Sequence, residues 1–253
     1  MSASSYRAWG IVFALAGTVS FAFRPVLIKL GYAAHPVSAT TLLFLRMTLS
    51  LPFFVAMAWY HRAEAPIARR DWIGITALGF LGYYAASLLD FLGLQYVSAG
   101  LGRLIMFLYP TLVVILSALF LGKSPTRREV AALAITYAGI ALVLSQQLSV
   151  APEDRMFLFG ALLVFSSSTC YAIYLVAGSQ LVRRVGSLRF TAYTMIISTL
   201  PAVVQFALLE SRAALDLPAQ VWGYVIVLAV GCTVFPVLLV AESLKRIDRK
   251  SVV

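Results

Sequence analysis

The stretch AWGIVFALAGTVSFAFRPVLIKLGYAA, residues 8–34, is apolar over a length that crosses a bilayer, yet its second half carries an arginine, a proline and a lysine. A hydrocarbon core of roughly 30 Å needs about 20 helical residues. Runs of that kind recur along nearly the whole chain. With 61% hydrophobic and 12% charged residues and a mean hydropathy of +0.91, the 253-residue chain fits no soluble globular class. Backbone groups in lipid must be satisfied internally, and the runs lack the alternation of barrel strands, so each reads as an α-helix. The expected fold class is all-α, a polytopic transmembrane bundle. Its spans cover approximately 8–33, 36–60, 72–95, 99–121, 129–146, 156–181, 190–209 and 218–243. The opening MSASSYRAWGIVF imitates a signal peptide, but the run is too long and holds Arg24 in its middle, so it reads as a retained first helix.

Charge placement orients the chain. With a cytoplasmic N-terminus, Arg7 and the inner loops gather Arg62, Arg69, Arg70, Lys123, Arg127, Arg128, Arg183, Arg184, Arg189, Lys245, Arg246, Arg249 and Lys250, against Arg155 and Arg212 outside. That is the positive-inside signature of a multi-pass inner (plasma) membrane protein, and it accounts for a pI near 9.9 without nucleic acid. Cys170 and Cys232 lie in spans with no metal-ligand spacing, and His35 and His61 lie in or beside loops, so no metal or other cofactor is expected.

An offset of about 150 residues lines the chain up with itself. Gly10 falls on Gly160, Thr18 on Ser168, Phe21 on Tyr171, Pro52 on Pro201, Trp72 on Trp222 and Leu94 on Leu244. Five helices per copy is odd, so the second copy enters from the opposite side: an inverted repeat, the plan of many secondary transporters. Residues 1–150 form the first copy. Residues 151–253 form a second, incomplete copy of three helices and a basic end. A truncated ten-helix plan with about eight helices present is expected.

Arg24 and Arg46 are equidistant from the turn at 34–36, which puts both near the midplane. A central arginine costs at least about 2.5–3.5 kcal/mol, while each large apolar residue returns roughly 0.3–0.6 kcal/mol, so the helix inserts but the arginine must face protein or water. Gly17, Ser20 and Arg24 share a small, polar face. Pro25 kinks the helix and frees a carbonyl there. Arg24 and Arg46 are candidate substrate or gate residues, Arg46 alternatively an interhelical tie. Lys29, nearer the interface, reads as a snorkelling residue or a secondary site. Asp90 and Arg103 flank the turn at Val97 at similar distances, either as a neutralised staple or as a gate or proton-coupling pair. Tyr83 and Ser87 share the Asp90 face as secondary candidates. Prolines 25, 52, 110, 201 and 236 all fall inside spans, with Pro25 and Pro110 as secondary site candidates. Glu242 reads as a partner of Arg246 one turn on.

The stretch FLGLQYVSAGLGRLIMFLYPTLVVILSALFLGKSPTRREVAALAITYAGIALVLS, residues 91–145, resembles the EamA-type half of the drug/metabolite transporter superfamily. The resemblance rests on the hairpin at Ser98, Ala99 and Gly100, Pro110 in the fourth helix, LFLGKSPTRRE, the helix around TYAGIALVL, and Arg46 within LRM. It departs at Gly122 and Lys123, where relatives commonly read LGE. The resemblance implies two inverted EamA repeats, both termini cytoplasmic, and export or exchange of small metabolites.

The expected function is a secondary transporter, exporter or exchanger, of a small polar metabolite, an anionic one included, by alternating access, with a proton or ion as coupling partner. The bilayer is its other partner. A non-transporting membrane component, degenerate or a partner subunit, is the alternative. An intramembrane lipid-modifying enzyme lacks the base or metal set it would need, so no catalytic residue is expected.

Overall fold

The computed structural model describes residues 3–62, 66–122, 125–147 and 155–239, and among these the backbone is helical, with no strand. The helices are α1 (Ala3–Ala22), α2 (Arg24–Ala34), α3 (Ala39–Tyr60), α4 (Arg69–Gly79), α5 (Ala86–Tyr96), α6 (Ala99–Met106), α7 (Tyr109–Leu121), α8 (Arg127–Gln147), α9 (Arg155–Val185), α10 (Ser187–Leu209) and α11 (Ala219–Ile226). π-helical turns at Phe80–Ala85 and Val227–Val234 join α4 to α5 and extend α11. Lys123, Glu242, Arg246 and the other basic residues after 244 lie outside the described residues.

Seven helical stretches are long and apolar enough to span a membrane: Trp9–Ala34, Ala39–Tyr60, Arg69–Tyr96, Ala99–Leu121, Met156–Val185, Ser187–Leu209 and Ala219–Leu239. In α8 only Glu129–Gly139 counts as apolar, a shorter run. Two contacts decide whether α8 crosses. The Ser38 hydroxyl lies 2.5 Å from the Glu210 carboxylate, so both occupy the same side. The Asp71 and Arg184 side chains meet at 2.9 Å, which places them on one side also. Each contact brackets α8 together with an odd number of the long spans. Both contacts therefore require α8 to cross, and the described residues make eight crossings.

Helix boundaries follow local chemistry. Ser38 caps α3, its hydroxyl accepting from the Thr41 amide at 3.0 Å, and Ser98 caps α6 through the Leu101 amide at 3.2 Å. The LGKSPTRRE motif proves to be helix punctuation. Gly122 closes α7 in the left-handed region at φ 63°. Thr126 and Glu129 then form a reciprocal capping box at α8, with Thr126 N donating to Glu129 at 2.7 Å and Glu129 N to the Thr126 hydroxyl at 3.2 Å.

The chain divides into two compact units, 1–67 with 185–253, and 68–184. Each draws on residues from both sides of position 150. In the first unit α3 and α10 form the central pair, α11 packs on α2 and α3, and the π turn at Val227–Val234 packs on α1, α2 and α3. Phe44 stacks on Phe206 with centroids 4.2 Å apart. Leu42, Leu43, Met47 and Phe54 are buried, while Leu15, Val19, Leu200 and Leu208 point outward. Serines, threonines and arginines inside and large apolar residues outside is the sorting a bilayer imposes.

In the second unit α9 packs on α4, the first π turn, α5 and α6. The α5–α9 crossing depends on glycine. A Cβ on Gly160 would stand 2.5 Å from Tyr96 Cβ, and one on Gly93 would stand 2.6 Å from a Val164 methyl. The ion pair of Asp71, in the first turn of α4, with Arg184, in the last turn of α9, ties this unit at one end. Each charge opposes the dipole at its own helix terminus, so both placements are favourable.

Candidate functional site

The kink expected at Pro25 is present. α1 ends at Ala22, Phe23 forms a turn with right-handed helical dihedrals and α2 begins at Arg24, so the helical ladder is interrupted locally inside the membrane span. Arg24 is 7% exposed and Arg46, on α3, is 2% exposed. The Arg24 guanidinium lies 5.4 Å from the Phe21 ring centroid, and Arg46 Nη2 lies 3.6 Å from Met47 Sδ. α2 and α3, which carry the two arginines, both pack on the second π turn, which holds the buried Cys232. Gly17 and Pro25 are buried and Ser20 is half-buried, in keeping with an inward polar face.

Serines meet the backbone where helices are irregular. The Ser20 hydroxyl donates to the carbonyl of Gly231 at 2.5 Å, and Ser50 shares its proton between the carbonyls of Arg46 at 2.7 Å and Ala229 at 3.2 Å. Gly231 and Ala229 both belong to the π turn at Val227–Val234. In the second unit Ser167 donates to the Ala86 carbonyl at 2.6 Å, just past the π turn at Phe80–Ala85, and Ser168 donates to the Met106 carbonyl at 3.2 Å. Pro110 has no N–H for Met106, four residues back, so Ser168 supplies the missing donor. Pro110 sits just after the break between α6 and α7 at 107–108. Pro52 and Pro201, by contrast, lie within unbroken α3 and α10.

Asp90 and Ser87 are buried on α5, and Arg103 stands on α6, the other arm of the same hairpin, 5.5 Å from the Phe107 ring centroid. Tyr83 belongs to the first π turn, so a 3.6-residue period does not set its face relative to Ser87 and Asp90. It meets Tyr174 of α9, with hydroxyls 3.5 Å apart and rings edge-on at 5.1 Å. Tyr174 in turn stacks on Tyr171, and Tyr171 meets Tyr109. Lys29 is half-buried. Among the described residues no group of three metal-ligating side chains occurs.

Several charges read from the sequence as inner-loop residues stand instead in helix ends, Arg69 and Arg70 in α4, Arg127 and Arg128 in α8, and Arg183 and Arg184 in α9. Arg189, read from the sequence as an inner-loop charge, lies in the first turn of α10 and is buried, because packing covers that helix start. Sequence reasoning also missed the Asp71–Arg184 pair and Cys232. The acid beside a basic loop signalled the pair. Nothing along the chain announced Cys232.

The EamA-like transporter family model matches residues 8–145 and 158–253. An uncharacterized transporter of Bacillus subtilis, YcbK, is 30% identical over 245 residues, covering 94% of this chain and 77% of that protein. A second B. subtilis uncharacterized transporter, YyaM, is 29% identical over 180 residues, 71% of this chain and 59% of its own length. An uncharacterized transporter of Archaeoglobus fulgidus is 24% identical over 228 residues, 90% of this chain and 77% of its own. A protein of known crystal structure shares the fold, with a TM-score of 0.66 and 19% identity, covering 96% of this chain and 80% of that one. The match over nearly the whole sequence agrees with the helical architecture, and the chain is a membrane protein that belongs to the EamA-like transporter family.

Proposed function

We propose that the chain is a secondary transporter of a small polar, anionic metabolite, working by alternating access in the inner membrane with its N-terminus cytoplasmic. Arg24 and Arg46 hold the anionic group. The carrying observation is that both guanidiniums are buried within the spans of one unit, on α2 and α3, which both pack on the π turn at Val227–Val234. Asp90 and Arg103 act as an outer gate or as the coupling pair, on the support of a buried carboxylate one hairpin arm from the arginine.

The inverted repeat, with copies 1–150 and 151–253, gains support from local structure. The π turns at Phe80–Ala85 and Val227–Val234 overlap at the offset of about 150 residues. The first helix reaches the last π turn through Ser20, and α9, its counterpart, reaches the end of the earlier π turn through Ser167. Equivalent irregularities meeting equivalent neighbours is what duplicated halves produce.

Flux of radiolabelled small anions into proteoliposomes tests the transport reading. Arg24→Ala and Arg46→Ala should each lower uptake at least about tenfold, the loss of one charged contact of ~1.4 kcal/mol. Unchanged flux and substrate affinity in both variants would remove these arginines from the site.

A further inference from the structure

Tyrosine in a membrane protein favours the headgroup level, where its ring meets lipid and its hydroxyl meets water. Tyr32, Tyr60 and Tyr96 keep to that rule, at or near the ends of their spans. Tyr83, Tyr109 and Tyr171 do not. Each stands within a residue of the centre of its span, Arg69–Tyr96, Ala99–Leu121 and Met156–Val185 in turn. Tyr174 follows Tyr171 by one helical turn, and all four belong to the second unit.

The four rings are in contact. Tyr109 meets Tyr171 edge-on with centroids 5.3 Å apart, Tyr171 stacks on Tyr174 at 6.0 Å, and Tyr174 meets Tyr83 edge-on at 5.1 Å with the two hydroxyls 3.5 Å apart. The row therefore joins three spans at one depth. Irregular backbone holds both of its ends: Tyr109 opens α7 directly after the interruption at 107–108, and Tyr83 lies in the π turn at Phe80–Ala85. A Cβ on Gly82 would overlap the Tyr174 ring, so the glycine is what lets that ring lie on the π turn. Tyr174 is 6% exposed and forms the floor of the row, whereas Tyr83, Tyr109 and Tyr171 keep part of their surface open.

A phenol that opens onto acyl chains at mid-depth finds no water for its hydroxyl. Large aliphatic residues occupy the outward positions of this unit instead, Ile115, Leu119, Leu158 and Leu162 among them. The open tyrosine surface is accordingly surface turned to water, at the depth where transporters bind substrate. Aromatic side chains with a few convergent polar groups are what small-molecule sites are lined with. We propose that the row Tyr109, Tyr171, Tyr174 and Tyr83 is a recognition site for an aromatic ring that bears a hydrogen-bonding substituent. Tyr109 and Tyr171 offer ring face and ring edge for stacking, and the Tyr83 and Tyr174 hydroxyls stand at one end to meet the substituent. An organic cation would use the ring faces alone. The inference rests on the transport reading for the site's purpose and adds an aromatic ring to the substrate, but ring recognition needs no charge and stands apart from Arg24 and Arg46.

Binding to the full chain in lipid nanodiscs tests the site, by saturation-transfer NMR with empty nanodiscs as the reference. The probes are 4-hydroxybenzyl alcohol and 4-(hydroxymethyl)cyclohexanol, uncharged molecules of like size that differ in the aromatic ring. The first should bind saturably and at least about tenfold more tightly than the second, through contacts with two tyrosine rings. Tyr171→Leu and Tyr109→Leu should each bring the two affinities within about threefold of one another. Tyr83→Phe keeps the ring and removes its hydroxyl, so it should weaken 4-hydroxybenzyl alcohol by about threefold or more and leave benzyl alcohol unchanged. The preference of the unaltered chain needs no variant to fold. Equal affinity for the two probes, or no saturable binding of the aromatic one, overturns the site, as does a preference that survives in a folded Tyr171→Leu or Tyr109→Leu protein. Tighter binding of tetramethylammonium than of 4-hydroxybenzyl alcohol overturns the ring assignment in favour of a cation. Ring binding without flux leaves the site standing and refutes transport, whereas flux of small anions with no ring preference does the reverse.

Discussion

Ser167→Ala isolates one hydrogen bond that the irregular backbone requires. Ser167 is fully buried, and its hydroxyl donates to the Ala86 carbonyl at 2.6 Å, beside a π turn where the regular helical ladder is displaced. Interhelical hydrogen bonds in membranes average about 0.6 kcal/mol with a maximum near ~1.7 kcal/mol. A buried carbonyl that loses its donor adds a share of the roughly 1–3 kcal/mol desolvation penalty. The substitution should therefore cost about 1–2 kcal/mol, at the upper end for a membrane contact because Ala86, which bears the carbonyl, is itself buried. For a chain of this size that lowers the melting midpoint by roughly 2–8 °C. Thermal melts by far-ultraviolet circular dichroism, in one detergent and at one scan rate, measure it. Thr169→Ala serves as the control, since that hydroxyl bonds only to Phe165 of its own helix at 3.0 Å, and its midpoint should shift by no more than about 1 °C. If Ser167→Ala melts with the control, the serine is not serving the backbone and the account of the π turns fails.

Two further outcomes follow from the packing. Gly160→Ala should sharply lower the melting midpoint or abolish folded protein, because its Cβ would meet Tyr96 Cβ at 2.5 Å and the Gly93 carbonyl at 3.1 Å, whereas Gly139→Ala, with nothing within 4 Å, should be neutral; an unaffected Gly160→Ala would refute the close α5–α9 crossing. In a cysteine-free background, single cysteines at His35 and Arg212 should react with an impermeant thiol reagent from the same side of sealed vesicles, and opposite sides would refute the eight-crossing parity.

Much of the membrane architecture was legible because apolar length is a local property. The run at 8–34 announces a crossing without reference to any neighbour, and the proline within it announces the break that the structure places at Phe23. Counting residues outward from one turn set the expectation that Arg24 and Arg46 face protein near the midplane, and the structure buries both. The two π turns were not legible, since Phe80–Ala85 and Val227–Val234 are as apolar as their flanks and nothing in one strand of sequence reports a change in hydrogen-bond register. For the same reason the Tyr83, Ser87 and Asp90 face could not be set by a 3.6-residue period.

The sequence by itself determined that the chain lives in a bilayer, where its crossings lie and that charges stand within them, because insertion energy sums over consecutive residues. Tertiary structure alone decided which distant groups became neighbours. Ser20 met the Gly231 carbonyl, Ser167 met the Ala86 carbonyl, and Arg184 found Asp71. In lipid those partnerships arise from close helix approach and from the need to satisfy every buried polar group. Both are settled between helices, not along one.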